Sequence, residues 1–154
     1  FWTMGSFGGV TWPLVLPAIL VIAINLFWVL KFSRSLDILQ LGESEAYRLG
    51  VDVKKLKFAI IISSAMIVGI SVSLSGMIGF VGLVIPHLVR MMGGVNNNYV
   101  LPASAVLGAS LLVLSDLISR VIIQPAELPI GLITSALGSP FFLWLILKIK
   151  KYEH

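Results

Sequence analysis

Residues 33–52, SRSLDILQLGESEAYRLGVD, are the one long polar interval between strongly apolar segments, and their reading decides how the rest of the chain is understood. Asp37, Glu43, Glu45 and Asp52 sit here with Arg34 and Arg48, and Lys54, Lys55 and Lys57 follow at once. Leu36, Asp37, Ile38 and Leu39 form one apolar turn. Gly42 interrupts it, and Glu43, Ala46, Tyr47 and Gly50 then recur at three-to-four spacing. A second short helix is expected there, stopping at Gly50. Glu43 and Tyr47 lie one turn apart, as do Ser44 and Arg48. A pair of short amphipathic helices between apolar spans suits a docking surface. A plain solvated loop is the competing reading of the same residues.

The flanking composition points to a membrane. The chain has 154 residues, 58% hydrophobic and 12% charged, with a mean hydropathy of +1.02. Soluble domains carry about a quarter charged residues, so half that charge at raised hydrophobicity implies a bilayer as solvent. The isoelectric point near 9.6 alone would suit a nucleic-acid binder. The basic residues instead cluster beside apolar spans, as the positive-inside rule requires, so nucleic acid is not the expected partner. With no cysteine there is no disulfide, no thiolate chemistry and no cysteine metal site. The chain opens Phe1-Trp2-Thr3 without a charged leader, and is expected to be an internal piece of a longer protein.

Before the polar stretch, residues 1–11 (FWTMGSFGGVT) are uncharged, aromatic and glycine-rich, which suits a turn or a broken helix end at a membrane interface. Residues 13–30 are eighteen without a charge, about 27 Å as a helix and enough to cross a hydrocarbon core. Pro17 is expected to kink this span, and Asn25 to face protein. After the polar stretch, residues 56–75 form a second span with small serines and Gly69 for close packing. Residues 100–119 form another, with Pro102 in its first turn, after a polar turn at 96–98. The last covers 130–147, bent at Pro140, before the basic tail Lys148–Lys151.

Residues 76–94 (GMIGFVGLVIPHLVRMMGG) fit either a full span or a re-entrant hairpin. Charge parity separates the two. If this segment returns the chain, then Arg90 and the tail lysines share a side with Arg48 and Lys54. If it does not, the tail lies outside. The first arrangement obeys the positive-inside rule, and is the one expected. The expected architecture is therefore an all-α polytopic transmembrane bundle of about five crossings, with the first residue outside and the last inside. Ten of the eleven basic residues are then cytoplasmic and only Arg120, in an outer loop over 120–129, is not.

Five stretches together resemble one family: MGSFGGVTW, LGESEAYRLGV, SGMIGFVGLVIPHLVR, LPASAVLGASLLVLSDLISR and PAELPIGLITSALGSPFFLWLI. The chain is similar to the membrane-spanning permease of type II ATP-binding-cassette importers, the FecCD-like group that carries iron–siderophores, haem or cobalamin. Such permeases have about ten spans and about twice this length, so residues 1–154 resemble the C-terminal half of one permease domain.

The resemblance implies a bacterial or archaeal inner-membrane location with a cytoplasmic C-terminus. It implies a nucleotide-binding ATPase partner, a periplasmic or lipid-anchored substrate-binding protein, and a second permease copy. It also implies residue roles. The segment 33–52 would be the coupling segment, with Leu36, Leu41, Gly42, Glu43, Ala46, Arg48 and Gly50 transmitting ATPase motion. Arg120 would dock the binding protein. Met4, Gly5, Phe7 and Gly8 would lie at the outer end of a pore-lining helix. No GxxxxGK[ST] motif is present, so ATP and Mg belong to the partner and no catalytic residue or resident cofactor is expected in this chain.

Blander readings compete at each singled-out residue. His87, lacking a second nearby His, Cys or carboxylate pair, suits packing better than metal ligation. Asp116 and Arg120, four apart, form either a local ion pair or a docking arginine held in pose. The run Gly108-Ala109-Ser110 opens like a hydrolase elbow, but no glycine follows the serine. The serines of 63–75 suit packing. Two alternatives of other classes remain, a secondary transporter needing no ATPase and a structural anchor. The first would favour a charge deep in a span, and the second has no need of a docking helix pair.

Overall fold

The computed structural model describes residues 5–122 and 129–152 of the chain. Among the described residues there are seven helices and no strand: α1 (Trp12–Lys31), α2 (Ser33–Leu39), α3 (Glu43–Arg48), α4 (Val53–Ser75), α5 (Val81–Gly93), α6 (Asn97–Ile122) and α7 (Ile130–Tyr152). Four of them, α1, α4, α6 and α7, are long and apolar enough to cross a membrane. The all-α transmembrane bundle expected from composition is the fold observed.

Packing runs in two groups. Helix α1 lies along α4. Helix α5 lies along α6, and both also contact α7. The short α2 bridges to α6, and α3 rests on α2 and α4. The best-buried apolar cluster is Ile85 and Val89 of α5 against Val100 of α6, extended by Ala103, Leu107 and Leu111. Gly108 of α6 is buried beside Val81 and Ile85. Between spans in lipid, water exclusion adds little, so such close packing and small residues hold the bundle. Large apolar side chains such as Leu16, Ile24, Phe27, Ile61 and Leu143 face outward along the long helices, as a bilayer solvent allows.

Residues 76–94 cross differently from a continuous span. Helix α5 has 13 residues, about 20 Å. Before it, residues 76–80 are not helical. They begin beside the chain's start, where the Gly5 N–H donates to the Met77 carbonyl at 3.2 Å and the Ser6 N–H to the Ser75 carbonyl at 2.8 Å. By Phe80 they have descended along α7 from the level of Ile130 to that of Gly138. Eight helical residues make that descent about 12 Å, and α5 then continues away from the end where Gly5 and Ile130 meet, toward the start of α6. Irregular backbone at this depth requires cover, and α7 and residues 5–6 supply it.

Several boundaries move. Helix α6 starts at Asn97, not Val100. Asn97 and Asn98 belong to its first turn, and the turn proper is 94–96. Helix α4 starts at Val53 rather than Leu56, taking in Lys54 and Lys55, because Asp52 caps it, accepting from the Lys55 N–H at 3.2 Å. Arg120, expected in a loop, lies in the last turn of α6. A cation there complements the exposed carbonyls of the helix end. Asn25 meets its polarity locally, its Nδ2 donating to the Val21 carbonyl at 2.9 Å.

Candidate functional site

The segment between α1 and α4 folds as the two short helices α2 and α3, joined at Gly42 (φ +113°). Helix α3 ends because Gly50 takes a left-handed φ of +83°. The Gly50 N–H then donates to Tyr47 O at 3.0 Å and the Val51 N–H to Ala46 O at 2.9 Å, which satisfies two carbonyls of the final turn. Ala46 is 0% exposed and pins α3 to its neighbours, while the adjacent Tyr47 is 77% exposed.

The coupling candidates therefore divide by face. Ala46 is buried, and Leu36 and Gly42 are half-buried. Leu41, Glu43, Arg48 and Gly50 face outward. Leu41, Tyr47 and Leu49 expose apolar surface beside Glu43 and Arg48, at an end of the molecule where the chain is otherwise polar. Exposed apolar surface rimmed by charge is the kind used in protein or membrane contacts. Tyr47 and Leu49 were absent from the expected site. Spacing places Ala46 and Tyr47 on one broad face, and only the tertiary contact separates them.

The charges on this face are paired but wet. Glu43 pairs with Lys57 of α4, and Arg48 with Glu45 at 3.4 Å. All four are well exposed, so each pair is worth only tenths of a kcal/mol to about 1 kcal/mol and remains exchangeable for a partner's charge. At the start of α4, the Lys55 backbone N–H and then its side chain hold the Asp52 carboxyl below its ordinary value.

At the opposite end, Gly5 is a junction. It is buried, it donates to Met77 as above, and its carbonyl accepts from the Ile130 N–H at 2.8 Å. Phe7 is half-buried and Gly8 exposed, while Met4 lies outside the described residues. A recess of about 360 Å³ opens beside them, lined by Ser6, Gly9, Ser73, Ser75 and Gly76 among others. The hydroxyls of Ser73 and Ser75 donate to carbonyls of their own helix; Ser75 is buried, Ser73 is exposed, and both line the recess. The Arg120 Nε donates to Asp116 Oδ2 at 3.0 Å, so the local ion pair is present in the structure. Glu127 and Gln124 lie outside the described residues.

No grouping among the described residues suits a metal ion. His87 is half-buried, with its ring edge-on to Phe141 at 6.1 Å, which is a packing role. Between α5, α6 and α7 a cavity of about 300 Å³ is almost wholly apolar, with only Ser110 and Thr134 contributing hydroxyls.

Comparison with known proteins follows the whole length of this arrangement. The model of the FecCD transport family matches residues 1–148. The hemin transport system permease protein HmuU of Yersinia pestis is 46% identical over 147 residues, covering 96% of this chain and 44% of that protein. The vitamin B12 import system permease protein BtuC of Vibrio vulnificus is 43% identical over 148 residues, with the same two coverages of 96% and 44%. A solved metal-chelate type ABC transporter in an inward-facing conformation superposes with a TM-score of 0.90 at 38% identity, over 96% of this chain and 48% of that one. The chain thus spans less than half the length of the curated relatives it matches.

Proposed function

Because the chain belongs to the FecCD transport family, we propose that it is the C-terminal half of the permease of an ATP-driven importer for an iron chelate, haem or cobalamin. The exposed face of α3 carries this reading. Its exposed Tyr47, with Leu41 and Leu49 flanking the helix and Glu43 and Arg48 at the rim, suits a soluble subunit that must grip and move the bundle. That subunit is an ATPase, which holds ATP and Mg. It drives the permease between outward-open and inward-open states by binding the two states unequally. The permease itself makes and breaks no covalent bond.

In this reading α2 and α3 are cytoplasmic, the recess at Ser6 and Ser75 faces outward, and a second permease copy completes the pathway. A substrate-binding protein delivers cargo to the Arg120 end. The names of the relatives, and the ABC transporter that the fold matches, favour this over a carrier without an ATPase.

The test is a Glu43→Ala/Arg48→Ala double variant of the full-length transporter, assayed in proteoliposomes. Both side chains are exposed, so insertion and assembly in the membrane are retained while ATP hydrolysis no longer drives uptake. Uptake at the parent rate would remove the docking role from α3.

A further inference from the structure

We propose that Asp37 is a positioning residue that clamps α2 to the start of α6, so that the two move as one body when the ATPase drives the short helices. The inference deepens the importer reading and rests on it. The Asn97 N–H donates to Asp37 Oδ1 at 2.8 Å, sixty residues away in sequence, and the Ser33 hydroxyl donates to Asn98 Oδ1 beside it. Ser33 and Asn97 are both buried.

Chemistry makes this contact specific. The first N–H groups of a helix have no acceptor within it, and the positive end of the helix dipole favours an anion. Asn96 caps the Asn98 N–H from within the chain's own turn at 2.9 Å. The donor of Asn97 is left for Asp37, which reaches it only from α2.

The two short helices thus have different attachments. Helix α3 is joined to α4 through the exposed Glu43–Lys57 pair, which salt screens and a partner can displace. Helix α2 is joined to α6 through partly buried hydrogen bonds, which salt screens much less. Helix α6 then runs 26 residues, about 39 Å, to the end that carries Arg120. A displacement received at α3 passes through α2 and the Asp37 clamp into one rod that reaches the other face of the bundle.

The test uses the full-length transporter purified with its ATPase in lipid nanodiscs and carrying no other cysteine. Spin labels go on Arg34→Cys of α2 and Val106→Cys of α6, both exposed positions. The distance between labels is measured by pulsed electron resonance without nucleotide and after trapping with ATP and vanadate. In the parent it is the same in both states. In Asp37→Ala it shifts by several ångströms on trapping, and Asp37→Asn, which keeps an oxygen acceptor, behaves as the parent. A parent distance that changes with nucleotide overturns the proposal. So does an Asp37→Ala variant that melts lower yet keeps one distance in both states, because a purely stabilising role moves only the melting temperature. If no ATPase copurifies with the parent, the importer reading itself has failed, and that outcome is separate from either result.

Discussion

Phe80 shows how much a single residue can fix in this bundle. It holds a left-handed φ of +65°, which costs a non-glycine residue about 1–3 kcal/mol and persists only where the surrounding packing holds it. Phe80 packs directly on Gly138 of α7, whose missing side chain leaves room for it. A methyl group there would meet Phe80 Cβ at 2.5 Å and Cγ at 2.8 Å. Alanine for glycine in a helix interior ordinarily gains up to about 1 kcal/mol, but overpacking costs about 1–3 kcal/mol, and here the clash is with a constrained Cβ. Gly138→Ala is therefore expected to lower the thermal midpoint of the full-length protein. In a Phe80→Gly background, where that Cβ is gone, the same change is expected to raise it. A loss of equal size in both backgrounds would show that the contact does not couple the two positions. Arg120 poses a different choice, because its bond to Asp116 is present in the structure and its docking role is proposed. If it docks the binding protein, Arg120→Glu weakens that complex roughly tenfold, about 1.4 kcal/mol, and the loss shrinks as salt rises. Unchanged affinity measured by calorimetry at low and high salt would remove the docking role from Arg120.

At the scale of elements, legibility followed apolar length. Helices α1, α4, α6 and α7 could be read directly, because eighteen or more apolar residues leave few other structures in lipid. Their polar ends were read short, since caps come from distant or charged side chains: Asp52 draws Lys54 and Lys55 into α4, and Asp37 draws Asn97 into α6. Helix α5 resisted for another reason. The direction of residues 76–94 followed from charge parity, but their mixed extended and helical path depends on cover from α7 and residues 5–6, which no local pattern encodes. The α2–α3 pair and its Gly50 stop were legible, whereas the exposed Tyr47 and Leu49 were not. The Asp52 cap yields a pH prediction. Its carboxyl is held below the ordinary 3.8 in the folded state, first by the Lys55 N–H and then by the Lys55 side chain. A depressed folded value means that the cap's contribution is complete above about pH 4 and is lost as pH falls through the lowered value. Protection of the Lys55 amide against hydrogen exchange, corrected for the intrinsic rate, should fall in that window. Asp52→Asn should flatten the profile, and a parent profile already flat would dismiss the cap as its source.

For the whole molecule, everything turns on which ends of the helices share a side of the membrane. Hydrogen bonds settle the geometry without reference to charge. Ser33 and Asp37 meet Asn98 and Asn97 at one end, while Gly5 meets Met77 and Ile130 at the other. The segment 76–94 must then carry the chain from the second end to the first, as parity required. Assigning the first end to the cytoplasm rests on the basic residues, because Lys31, Arg34, Arg48, Lys54, Lys55 and Lys57 flank α2 and α3, and Arg90 precedes the turn into α6. Single cysteines in the full-length protein, probed in intact cells with a membrane-impermeant maleimide, test the assignment. Arg48→Cys and Lys150→Cys should stay unlabelled until the membrane is permeabilised, and Gln124→Cys should label from outside. The decisive position is Val95, exposed in the turn between α5 and α6. If residues 76–94 cross, Val95→Cys behaves like Arg48→Cys. If they form a re-entrant hairpin, it labels from outside together with Gln124→Cys, and the tie between Asp37 and Asn97 could not form. External labelling at position 48 would invert the whole assignment and place the α3 face on the side where no ATP is available.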